Sequence, residues 1–416
     1  MNEKVKWKLV WKSLEKQGKM NILIFVQLCI LLLICMSCVS VFYTTYPIYR
    51  GVERLAKGEG ELLFSYGLIN NSTGEIIQDS QMLEEQLPGN HFASCYSIWG
   101  SVRKDGEPYD FSLKGYDQEL IDAYIPQMQE GSWLGEPVSG EVLHAVVTSN
   151  AYGLGAGDRV QLYPEPYEAG MGVLEVEIQG VLSEKAYLPG YYIVPYEETD
   201  FRWAYTPTRQ EYLDCPLFVI SRQELDLVKT YTGNPETASQ ICDLVWRQEK
   251  TEMGEAQRKA QKDTMKQLGL ETVADFPTLM KNSTDTLVIE NIQLLPVFLI
   301  ALFMVLLSEL STGSINSRLQ LYRYGIYQLC GLGKRCCVGI HGRSSFLLSA
   351  LALGTAWILA WWMGRITGTT DATVIELGTP QILTSILITL VNVWFTSWLQ
   401  GRIIRKKSVS EIFRNE

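Results

Sequence analysis

The chain has 416 residues, room for two or three domains, with 47% apolar residues and a formal charge of −10. The charge is unevenly placed: residues 46–286 hold 38 of the 46 acids and 19 of the 36 bases, which leaves 8 acids and 17 bases outside, so a block of −19 is flanked by ends totalling +9. An acidic block without a basic patch excludes a nucleic-acid partner, and basic ends set off by apolar runs describe a protein with a sidedness.

Residues 1–20 predict a basic amphipathic helix. Trp7, Val10, Trp11 and Leu14 share one face and Lys8, Lys12, Lys16 and Lys19 cluster opposite, the pattern of a helix lying on an anionic membrane surface. Residues 21–45 carry no charge and are long enough to cross a bilayer. The apolar core Ile22–Val41 is too long for a cleaved signal and no small-x-small site precedes Tyr46-Pro47. A retained first span with the N-terminus inside is expected, and residues 46–286 are then extracellular.

That block has no apolar run of spanning length but many strand and turn signals. Glu141–Val147 reads as a strand. The period-two alternation in 159–162 and 173–178 predicts half-buried strands. Tyr191–Pro195 and Leu217–Ile220 read as a further pair. Gly153, Gly155 and Gly157 have turn spacing, not that of a nucleotide loop. Residues 236–270 are rich in charge with a thin apolar face, which predicts a helical stalk or lateral face leading to the second span. Tyr49–Leu55 could prolong the first span outward as its partner.

Residues 287–310 predict the second span, bracketed by Glu290 and Glu309, with Pro296 as a kink. Residues 311–343 are basic and so cytoplasmic. Within them Leu321, Tyr322, Ile326, Tyr327 and Leu329 recur at near-helical spacing, and Gly331-Leu332-Gly333 ends the helix before Lys334-Arg335. A short amphipathic helix with a glycine stop and a basic corner is expected there. Residues 344–364 and 381–400 complete four spans, joined by a short outer loop, 365–380. The tail 401–416, with Arg402, Arg405, Lys406 and Lys407, stays inside. Ala352, Ala356, Ala360 and Gly364 recur every fourth residue, a small-residue stripe for close helix packing within the chain or with a second copy.

Chemistry is sparse. No Walker, nucleophile-elbow or zincin motif occurs, and His91, His144 and His341 lie on separate segments. Of nine cysteines only Cys95, Cys215 and Cys242 fall in the acidic block. That is an odd number without metal or disulfide-framework spacing. Buried thiols are expected, with one disulfide left open. The chain is not expected to be an enzyme or to hold a cofactor.

Arg323-Tyr324-Gly325-Ile326, then Gly331 and Lys334-Arg335, resemble the segment after the second span of FtsX/MacB-like ABC transporter permeases. Tyr324 and Gln328 stand where that family has acidic or polar and basic residues. The order Gly131-Ser132-Trp133-Leu134, strand, Gly153–Asp158 turn, strand, Gly180-Val181-Leu182 is similar to the MacB-like periplasmic core domain. The resemblance implies an α+β membrane protein with four helices and a large α/β domain inserted after the first. It implies a separate ABC-type ATPase that binds ATP and docks on Arg323, Tyr324, Gly325, Ile326, Gly331, Lys334 and Arg335. It further implies a second permease copy in a homo- or heterodimer, surrounding membrane lipid, and movement of the outer domain to export or extract a peptide, lipoprotein, lipid or antimicrobial compound. The alternatives are a signalling subunit that activates an extracellular protein such as a cell-wall hydrolase, or an anchored scaffold without an ATPase.

Overall fold

A computed structural model describes residues 3–16, 18–65, 74, 77, 79–104, 107–136, 142–164, 174–184, 186–190, 199–208, 215–224, 240–250, 253–366 and 377–406. The chain divides into two compact units, one of Met1–Thr45 with Val288–Glu416 and the other of Tyr46–Leu287. In chain order the elements begin with α1 (Glu3–Lys16), α2 (Gly18–Leu55), β1 (Gly60–Ser65), α3 (Ser80–Gln86), β2 (Asn90–Lys104), β3 (Glu107–Tyr116), α4 (Gln118–Ala123), β4 (Met128–Gly131) and β5 (Leu143–Val147). There follow β6 (Arg159–Pro164), β7 (Leu174–Leu182), β8 (Tyr187–Pro189), α5 (Phe201–Ala204), β9 (Tyr205–Pro207), β10 (Leu217–Ser221), β11 (Gln240–Glu249), α6 (Glu255–Gln267) and β12 (Glu271–Asp275). The long helices α7 (Phe276–Leu329), α8 (Lys334–Ile366) and α9 (Thr379–Lys406) complete the chain.

In the unit Tyr46–Leu287 ten strands form one sheet in the order β12-β1-β11-β2-β3-β10-β5-β7-β4, with β6 bridging β2 and β7. The long strand β2 makes this possible. Its first half pairs with β11 and its last residues, Gly100–Arg103, pair with β6. The ladder β2-β3-β10-β5-β7-β6 therefore returns to β2 as a closed circuit.

Side-chain alternation sends the central strands' residues to two different cores. In β10, Phe218 and Ile220 join one cluster while Leu217 and Val219 join the other. In β11, Val245 goes to the first and Leu244 and Trp246 to the second. The first cluster is covered by Leu83 of α3 and by Met265, Leu268 and Leu270 at the end of α6. The second is covered by Ile48 and Val52 of α2 and by Phe276 and Leu279 of α7. Strands β6 and β7 are one-sided: Val160, Leu162, Val176 and Ile178 are buried, whereas Arg159, Gln161 and Glu175 are exposed.

The helical reading of 236–270 is corrected. Residues 240–249 form β11, antiparallel to both β1 and β2, and helix occupies only Glu255–Gln267 before β12 begins. The run Ile241, Leu244, Val245, Trp246 is buried on both sides. Strand pairing and two-sided burial outweigh the charge of its neighbours. Tyr191–Pro195 lies outside the described residues.

A buried polar cluster ties α3 and α4 to β2. Asp117, 6% exposed, accepts hydrogen bonds on Oδ2 from Ser80 Oγ at 2.6 Å and from the Ser94 amide at 2.8 Å. Arg222 lies 3.3 Å from Asp79 and 3.9 Å from Asp117 and stands over the Tyr96 ring. Burial holds the Asp117 carboxyl above the ordinary carboxylate range, against the opposing pull of Ser80, Ser94 and Arg222. A raised pKa in the folded chain means that the folded state takes the proton more readily than the unfolded one. This contribution to stability is complete below the ordinary Asp value of about 3.9 and is lost as pH rises through the raised value. Wild type is therefore expected to gain stability relative to Asp117→Asn as pH falls from about 7 to about 4, in paired thermal melts of the full chain.

In the other unit, three helices among the described residues are long and apolar enough to cross a membrane: Gly18–Leu55, Lys334–Met363 and Thr379–Leu399. The second expected span falls inside α7. There the described apolar piece is Leu295–Met304, and the side chains of 290–294, 305–306 and 308–323 are not described. Helix α7 continues through Pro296.

Candidate functional site

The segment read as the ATPase dock is a helix–turn–helix corner. The expectation of a separate short helix is corrected: residues 318–329 are the last turns of α7, with no break before Leu329. The stop is where the glycines place it. Gly331 has φ +89°, the left-handed conformation that side chains with a Cβ disfavour. Its amide donates to Gln328 O at 3.0 Å, and the Leu332 amide donates to Tyr327 O at 2.9 Å. These two bonds form a Schellman motif, and its usual apolar contact is supplied by Tyr327 and Leu332, which pack on the same small cluster. Gly333 O then accepts from the Cys336 amide at 2.9 Å and opens α8.

Inside the corner Tyr324 (4% exposed) packs with Cys337 (0%) and with Val338. Gly325 is buried as well. Ile326 and Leu329 are exposed, at 40% and 68%, as is Arg335. Lys334 and Arg335 occupy the first turn of α8, which contains no acid. The amide ends of a helix start already carry partial positive charge, so the basic pair adds to it. Arg323 lies in α7 and its side chain is not among those described. The corner thus offers apolar Ile326 and Leu329 beside a concentrated positive charge, a surface suited to an acidic, partly apolar partner. Tyr324, by contrast, is a packing residue that holds the two helices together.

Gly331→Ala is expected to cost about 1 kcal/mol through the left-handed backbone. It should also speed alkylation of buried Cys337 in detergent, read by mass spectrometry.

Helix α1 packs against α8. Of its expected apolar face only Val10 is fully buried; Trp11 is 66% exposed, and Trp7, 44% exposed, lies beside the Arg343 guanidinium at 5.7 Å. Ala352, Ala356 and Ala360 are each 0% exposed. They meet Leu28 and Leu31, then Leu32 and Met36, of α2, and Cys29 Sγ donates to Ala352 O at 3.5 Å. Gly364 continues the row in α8, and its burial is not described.

Sequence reasoning overlooked a second row. Gln381, Ser385, Thr389 and Asn392 of α9 are buried. Gln381 Nε2 donates to Ser40 Oγ of α2 at 3.1 Å and Trp357 Nε1 of α8 to Ser385 Oγ at 3.0 Å. The spacing i, i+4, i+8, i+11 was a readable signal of one helix face, and polar side chains between apolar helices link them by hydrogen bonds.

No family model matches the chain, and no curated protein matches it. Among solved structures, the extracellular domain of the noncanonical ABC-type transporter YknZ from Gram-positive bacteria is similar at 12% identity and a TM-score of 0.28, over 51% of this chain and 98% of that one. A domain of a protein described as a permease, from Porphyromonas gingivalis, is similar at 11% identity and a TM-score of 0.25, over 52% of this chain and 87% of that one. Likenesses of this degree define neither a family nor an activity for this chain.

Proposed function

We propose that the chain is the membrane subunit of an ABC-type transport system, with four spans and a sheet domain outside the membrane, driven by a separate ATPase that docks on the corner at residues 323–335. The observation that carries this reading is the corner itself. A Schellman turn at Gly331 and a basic helix start at Lys334-Arg335 occupy the positions whose sequence resembles the coupling segment of FtsX/MacB-like permeases. The division of charge, acidic in 46–286 and basic at the ends, supports the sidedness. In this reading nucleotide-driven closure of the ATPase displaces the corner, and the helices carry that displacement to the outer domain as a two-state element. Two copies pair with two ATPase subunits, and the moving domain exports or extracts its cargo.

The test is co-purification, from the native cell, of an ABC-type ATPase with the tagged chain. Wild type should retain it and Arg335→Glu should lose it, while Arg159→Glu, on a strand of the sheet domain, should retain it. Retention by Arg335→Glu rejects the dock. Sidedness has its own assay. An impermeant thiol reagent should leave Cys330, which is exposed on the corner, unlabelled on intact cells and label it once they are opened. Labelling from outside rejects the orientation.

A further inference from the structure

The sheet domain contains an open cavity of 330 Å³ that the corner and its partner do not use. Its floor is apolar: Ala93, Trp246 and Phe276, each at most 5% exposed, with the two rings 6.0 Å apart. Its rim carries both signs of charge, Lys57 just beyond α2 and Glu119 and Asp122 on α4.

Most polar groups of the rim are already tied to the fold, the two acids through one oxygen each: Glu119 Oε1 meets His91, and Asp122 Oδ1 accepts from Gln118 Nε2 at 2.9 Å. Arg54 Nη1 donates to the Asp122 and Ala123 carbonyls at the end of α4, at 3.2 and 3.3 Å. His91 is held between Glu84 at 2.6 Å and Glu119 at 2.9 Å. Gln248 Nε2 donates to Lys57 O at 2.6 Å. These bonds fix the walls. They leave the Lys57 ammonium and the second oxygens of Glu119 and Asp122 on the rim of an apolar-floored cavity, whose volume lies at the small end of the range for ligand sites.

We propose that this cavity binds a small zwitterion with a large apolar side chain, the class of an apolar α-amino acid. Its side chain lies on Trp246 and Phe276, its carboxylate faces Lys57 and its ammonium faces Glu119 and Asp122. Burying the side chain supplies affinity, and the rim charges of both signs orient and select the zwitterion. Leu55, the last residue of α2, and Phe276, the first of α7, both line the cavity, so an occupant touches both helices where they meet the sheet. Binding to this site does not depend on the ATPase reading, because it is measured on the chain alone.

The test is calorimetry of the full chain in detergent with three probes: L-phenylalanine, N-acetyl-L-phenylalanine and L-phenylalaninamide. Phenylalanine should bind saturably at millimolar concentration. Each blocked derivative should bind at least about tenfold more weakly, since one charge-assisted contact is worth that or more. Lys57 is exposed, so Lys57→Ala leaves the fold intact. It should weaken phenylalanine by about tenfold and leave phenylalaninamide unchanged, because the amide never used the ammonium. Asp122→Asn should weaken phenylalanine and phenylalaninamide alike. Absence of saturable binding overturns the proposal. So does equal binding of the three probes, or indifference of phenylalanine to both substitutions.

Discussion

Gly131→Ala is expected to be among the most damaging single-methyl changes in the sheet domain. Gly131 closes β4 with φ +72°, a conformation that costs a residue with a Cβ about 1–2 kcal/mol. An added Cβ would stand 2.1 Å from Gln179 O and 2.7 Å from Gly180 Cα, both main-chain atoms of β7 that no rotamer change can move. Gly131 and Gly180 are register partners, and a Cβ built on Gly180 would in turn meet Ser132 O and the Met128 side chain. The two strands approach closely because neither partner has a side chain. Strain and displacement of β4 together should cost about 3 kcal/mol, or a fall of about 6–12 °C in Tm for a domain of this size, in melts of the full chain followed by circular dichroism. A change of less than about 2 °C would mean that β4 is dispensable to the sheet.

The second large effect belongs to the helices. Ala356 is fully buried against Leu32 and Met36 of α2, so Ala356→Leu adds three carbons where no space exists. Overpacking of this kind costs about 1–3 kcal/mol. It should loosen α8 from α2, raising the alkylation rate of Cys29, which is 6% exposed and bonded to Ala352 O one turn along. Ile358→Leu, at a position 67% exposed, is the control and should leave that rate unchanged. Equal rates in both variants would reject the stripe as a packing seam.

What the sequence disclosed follows from how local each signal is. The stop at Gly331 was readable because a left-handed helix cap is written in one residue and its immediate neighbours. The row Ala352, Ala356, Ala360 was readable because a repeat of four is visible without knowing the partner. Strands β6 and β7 show one polar face, and their alternation survives in the sequence. Strand β11 does not alternate, since Leu244, Val245 and Trp246 are buried on both sides. Only its pairing with β1 and β2, more than a hundred residues earlier in the chain, distinguishes it from the charged helix that follows. The break between α7 and a separate corner helix was misread for the same reason. Charge at Arg318 and Arg323 marks where an apolar segment ends, whereas a helix ends only where its backbone bonds do. The cavity was invisible in the sequence, because Lys57, Ala93, Asp122 and Trp246 are brought together by the sheet alone.

The ordering of the large sheet also limits what it can recruit. Its terminal strands are β12 and β4, five and four residues long. Each meets its neighbour with a register slip, and they carry Glu271, Asp275 and Glu130. Unpaired main-chain amides on an outermost strand template the addition of foreign strands, and short, irregular, acidic rims are what discourage it. Elongation of this sheet by a second molecule is therefore disfavoured at both rims among the described strands.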